Sequence, residues 1–192
     1  MFSHLRRTTT AVAAGMLTAL VATAAVADDH TSDSEVTQSV NPGSRTATLA
    51  ALGLDAIDYS HTDKTSAGNV GLTVDDSSAT GEGWNVNVVS SDFVYSGDNN
   101  GTDIPAANFA LTSAGDPVHV EGQDIDETNG PRALQDNTGA LDEARAVIEA
   151  DADHGQGIYT QDLGVALTVP GQSRAGTYTG TVTTTITAGP TA

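Results

Sequence analysis

The chain has 192 residues, 7 Lys and Arg against 25 Asp and Glu, no Cys, and an aromatic content of only 4%. Without Cys there can be no disulfide framework, thiolate metal site or cysteine nucleophile. A formal charge of −18 argues against nucleic acid and against an anionic membrane surface, because both need clustered Lys and Arg.

The N-terminus comes first. Arg6 and Arg7 precede a neutral apolar run from Ala11 to Val26, and Ala25-Val26-Ala27 before Asp28 has the small-x-small form that signal peptidase cuts. Residues 1–27 are therefore predicted to be a secretory signal. A membrane anchor is the competing reading, but the run falls short of the roughly 20 residues a spanning helix needs. Export would leave five basic residues against 25 acidic ones, a balance of −20, which favours solubility and resists casual association. Residues 28–35 are polar and acidic and are expected to form a mobile leader ahead of one domain over 36–188.

Beyond Val36 the dominant signal is a period of two. Val70, Leu72 and Val74 alternate with Gly71 and Thr73; Trp84, Val86 and Val88 alternate with Asn85 and Asn87; Leu163, Val165, Leu167 and Val169 alternate with Gly164, Ala166 and Thr168. Each run predicts a strand with one buried face. A final run from Thr177 to Thr187 puts Tyr178, Val182 and Ile186 on one face and Thr on the other. Weaker strand signals lie at Val36–Val40, Arg45–Leu49, Ile57–His61, Phe93–Tyr95, Phe109–Thr112, Val118–Val120 and Ile158–Tyr159. One short helix is predicted over Ala140–Ala150, where Leu141, Ala144, Val147 and Ile148 share a side and Asp142 and Glu143 stand in the first turn. Many short strands between turn clusters predict an all-β, antiparallel two-sheet β-sandwich of Ig-like, Greek-key type, with an up-and-down barrel as the alternative.

Gly83-Trp84-Asn85-Val86-Asn87-Val88 and Gly176-Thr177-Tyr178-Thr179-Gly180 leading to Val182-Thr183-Thr184-Thr185-Ile186 resemble the two motifs of the WxL-domain family of secreted bacterial surface proteins. Ile57-Asp58-Tyr59, the Val70–Asp76 run, Ser91-Asp92-Phe93 and Leu167-Thr168-Val169-Pro170 follow the family's order, so the likeness spans residues 36–187. The resemblance implies non-covalent attachment to the cell wall through peptidoglycan, with other surface proteins as further partners, and an extracellular, cell-surface location. It makes Trp84, Val86, Tyr178, Thr184 and Ile186 the candidate wall-binding positions. The chain departs from the pattern in two places: the first motif ends in Val86 rather than Leu, and Thr184 stands where the second Trp belongs. Trp84 itself has two readings, an inward ring that fills the core with Val86 and Val88, or a platform on which a sugar stacks.

Nothing in the sequence points to catalysis. The histidines at 30, 61, 119 and 154 are isolated, no Gly-x-Ser-x-Gly elbow occurs, and no carboxylate pair stands out in so acidic a chain. No cofactor is expected. Two Asp-rich turns, Asp98, Asn100 and Asp103, and Asp124, Asp126 and Thr128, offer alternating oxygens like the start of a calcium loop, yet neither completes that pattern. The expected function is non-catalytic wall binding at the cell surface. The alternative is a self-associating matrix subunit, in which the segment near Val36–Val40 adds as a strand to a neighbour's sheet. No sorting motif or apolar tail follows Thr187, so neither a sortase linkage nor a C-terminal span is expected.

Overall fold

The computed structural model describes residues 34–191 of the protein. The signal segment and most of the acidic leader lie outside these residues. The chain divides into two units, Met1–Ser39 and Val40–Ala192. In the first, residues 34–39 form no strand and are exposed.

Among the described residues, the second unit is built from twelve strands and a single 3-10 turn at Ala106–Asn108. The strands are β1 (Arg45–Leu49), β2 (Lys64–Asp76), β3 (Trp84–Ser90), β4 (Val94–Ser96), β5 (Phe109–Ala114), β6 (Val118–Gly122), β7 (Arg132–Ala133), β8 (Gly139–Ala140), β9 (Arg145–Ala150), β10 (Gly157–Val169), β11 (Thr177–Thr179) and β12 (Val182–Ala188). A six-stranded sheet runs β1-β2-β10-β5-β8, with β6 also on β10; a four-stranded sheet runs β12-β3-β9-β7; β4 and β11 form a separate ribbon. All pairings are antiparallel, and the fold is an all-β sandwich.

The alternation seen in the sequence produces the core. Val70, Leu72 and Val74 of β2 stand opposite Leu163, Gln161 and Tyr159 of β10, and all six are buried. Trp84, Val86 and Val88 line the facing sheet with Ile148 and Ala150 of β9. At the turn into β3, Gly83 sits at φ +70°, and a Cβ there would lie 2.5 Å from the Ala150 carbonyl oxygen. Only glycine fits both that dihedral and that approach.

The two sheets differ in length. β2 and β10 each have 13 residues, whereas β3 and β12 have seven and β9 six. At about 3.3 Å per residue, the long pair outruns the facing sheet by roughly 20 Å. Trp84 and Tyr159, with ring centroids 6.3 Å apart, mark the end where the sheets match. The far end, around Ser66 and Leu167, has no facing strand of that sheet and is covered by the 50–63 loop and the β4–β11 ribbon.

Three expectations are corrected. The segment predicted as a helix over 140–150 holds strands β8 and β9 instead, and among the described residues there is no α-helix. Its helix-like pattern has a physical cause. β9 is paired on both edges, by β3 and β7, and Ala146–Ala150 are buried on both of its faces; a register shift places Val86 opposite Ile148 but Asn87 opposite Ala146, leaving Val147 as the extra residue. A bulge within a strand covered on both faces buries Ala146, Val147 and Ile148 in succession, which erases the period of two. Val36–Val40 and Ile57–His61 are not strands. The run from Thr177 to Thr187 is not one strand but two, because the chain breaks at Gly180-Thr181 and leaves the ribbon to join the four-stranded sheet.

Candidate functional site

The two motifs are far apart in sequence but are neighbours in the fold. β3 and β12 pair so that Val86 faces Ile186, Val88 faces Thr184 and Trp84 faces Ala188. Motif residues pointing inward are structural. The Trp84 indole is fully buried, and its Nε1 donates to the Gly155 carbonyl at 2.8 Å. Val86 is equally buried. Ile186 is half-buried against the core, and the Thr184 hydroxyl reaches the Ala47 carbonyl of β1 at 3.3 Å. The structure thus gives Trp84 the core role. Tyr178 lies apart from these four, on the ribbon, where its ring packs on Tyr95 with centroids 5.3 Å apart and its hydroxyl donates to the Arg174 carbonyl.

The outward face of the same two strands is different in kind. Thr183, Thr185 and Thr187 are exposed along β12, opposite Val89, Asn87 and Asn85. The Asn87 amide donates to Asn85 Oδ1 at 2.7 Å, and the Thr187 hydroxyl donates to the same oxygen at 3.0 Å. Neither strand carries a charged residue. In a chain with 25 carboxylates, this pair of strands therefore presents a neutral face: the hydroxyls of Thr183, Thr185 and Thr187 are exposed, Asn87 is half-buried, and Asn85 is buried beneath them with its amide donating to the Gly189 carbonyl. Sequence reasoning concentrated on the inward motif residues and missed this face, although the Thr-rich alternation of the last run was its signal.

At the β7–β9 edge the face ends in a charged cluster. The Arg132 guanidinium takes Asp151 with both carboxylate oxygens at 3.0 Å and Glu149 at 2.7 Å. The hydrogen bonds from Arg132 hold the Asp151 carboxyl below its usual range. For Glu149, burial works in the opposite direction, but hydrogen bonds from Thr191 and the Arg132 charge outweigh it and lower its pKa as well. Arg132 is raised, first by its bond to Asp151. Behind the sheet, burial pushes the Tyr159 hydroxyl up to about 12, with Asp124 and Asp76 adding to the shift. That hydroxyl donates to the Gln123 carbonyl at 2.6 Å.

The acidic turns do not converge on a common point. Asp126 Oδ1 accepts the backbone N–H groups of Thr128 and Asn129, and these bonds, that of Asn129 first, lower its pKa. Asp124 is almost wholly exposed and faces His119 at 3.8 Å. Asp103 accepts the Tyr95 N–H, while Asp98 and Asn100 stay exposed in their turn. Among the described residues no group of three or more His, Asp and Glu side chains is placed to hold a metal ion.

No curated protein and no solved structure matches the chain. A family model described as WxL domain, surface cell wall-binding, matches residues 23–190, almost the whole chain and both motif strands. The protein therefore belongs to the WxL domain family of surface cell wall-binding proteins, and its place is the cell surface.

Proposed function

We propose that the protein is exported and acts as a non-catalytic peptidoglycan-binding protein, held on the wall by the outward face of β3 and β12. The observation that carries this reading is the uncharged Thr and Asn face of the two strands that hold the family motifs. Sugar hydroxyls are both donors and acceptors, and neutral hydroxyl and carboxamide groups match them. An anionic chain approaching an anionic wall is repelled at long range, so short-range contact through a neutral face is the productive orientation.

The test is sedimentation with purified sacculi. Wild type should pellet with sacculi, including sacculi stripped of teichoic polymers, and should run as a monomer in their absence. Replacing Thr183 and Thr185 with Glu should abolish pelleting without loss of folding. If the double variant still pellets like wild type, the assignment of this face is wrong.

One observation favours a second reading, a self-associating surface subunit. All of β6 is exposed, with Val118 and Val120 outward, and its only strand partner among the described residues is β10. Such an edge can receive a strand from another copy. Assembly without sacculi, lost on replacing Val120 with Lys, would support it.

A further inference from the structure

The overhang of β2 and β10 encloses a cleft of about 840 Å³, within the range of ligand pockets. The inner row of β2 carries only small residues there. Following Val70 back toward the start of β2, the inward positions are Gly68 and Ser66, opposite Val165 and Leu167 of β10. Leu52 and Leu54 of the 50–63 loop close over Gly68, where a Cβ would meet them at 3.2 and 3.1 Å. Phe93 and Phe109, ring centroids 5.2 Å apart, form part of the wall.

The mouth carries the second observation. Of the five Lys and Arg residues among the described residues, Arg45 pairs with Asp76, Arg132 pairs with Glu149 and Asp151, and Arg145 donates to the Ala140 carbonyl. The side chains of the other two, Lys64 and Arg174, have no hydrogen bond or ion pair among the described residues, and both border this cleft. Asp55 and Asp58 border it too, so charge at the mouth is balanced two against two, while the whole chain has 7 basic residues to 25 acidic ones.

We propose that this cleft is a second binding site, taking a single-chain amphiphile with an anionic head, carboxylate or phosphate. The alkyl body enters between the overhanging sheet and the 50–63 loop, and the head is met by Lys64 and Arg174 at the rim. A guanidinium and an ammonium with no partner among the described residues match a carboxylate or phosphate, and the apolar wall takes the alkyl body. The site is separate from the Thr and Asn face and does not depend on it.

The experiment is calorimetric titration of the protein with dodecyl phosphate, laurate and uncharged dodecyl maltoside, all below their micelle concentrations. Both anions should bind one to one, at least tenfold more tightly than the maltoside, and the stronger of the two identifies the head. Exchanging Lys64 and Arg174 together for Gln touches only exposed side chains, so folding is retained. It should weaken anion binding at least tenfold and leave maltoside binding and sacculus pelleting unchanged. The proposal is overturned if wild type binds none of them, if the anions and the maltoside bind alike, or if the Gln pair leaves anion affinity intact. It is equally overturned if the protein dimerises through this mouth and the dimer excludes the probes.

Discussion

If Trp84 is a core residue, changing it should alter stability far more than wall affinity. Trp84→Phe removes roughly 50 Å² of buried ring, about 1 kcal/mol at ~25 cal/mol per Å². It also leaves the buried Gly155 carbonyl without the indole N–H that it accepts at 2.8 Å, a further cost of about 1–3 kcal/mol. The sum, roughly 2–4 kcal/mol, corresponds to a fall in Tm of roughly 5–15 °C for a chain of this size. Thermal melts followed by circular dichroism give the stability, and sedimentation with sacculi well below the variant's Tm gives the affinity. The expected pair of results is a large drop in Tm with pelleting within twofold of wild type. The reverse pair, unchanged Tm and lost pelleting, would show the indole in contact with glycan and refute its assignment to the core.

Gly83→Ala forces a side chain into φ +70° against the Ala150 carbonyl and should lower stability by about 1–3 kcal/mol, read from urea unfolding. Thr184→Trp, which restores the missing aromatic of the second motif, must displace β1 at Ala47 and should cost about 1–3 kcal/mol in the same assay. The lowered carboxyls of Asp151 and Glu149 mean that the unfolded chain takes up protons near pH 4 before the native state does. Their contribution is therefore complete above that range and is lost as the pH falls through the native values. Arg132→Gln should accordingly shift the acid-unfolding midpoint to higher pH, followed by circular dichroism. Because Asp126 already accepts backbone N–H groups and Asp124 points elsewhere, millimolar calcium added to chelated protein should leave Tm unchanged.

Where one face of a strand meets core and the other meets solvent, the sequence showed it. Val70, Leu72 and Val74 alternate in the sequence as they do in the sheet, and the same holds for Leu163, Val165 and Leu167. The pattern failed at β9 because both its faces are covered and the bulge at Val147 adds a residue, so three apolar side chains in a row read as a helical stripe. It also failed at Gly180, where the chain changes sheets in mid-run, since a strand that switches partners keeps its alternation while losing its continuity. Of the candidate site, the motif strands were legible and their pairing was not. Nothing local tells Val86 that Ile186, a hundred positions later, lies beside it. The cleft was hidden for a related reason: it arises from a mismatch of strand lengths across the sandwich, and length differences acquire meaning only once the partners are known.

That mismatch separates two demands on one small molecule. The end under Trp84 and Tyr159 is closed by facing strands, while the overhanging end is walled by a loop and a ribbon around Phe93, Phe109 and Leu167. Leu54 and Arg174 line the cleft and lie outside β3 and β12, so substitutions there reshape its wall while leaving the two strands that carry the family motifs as they are.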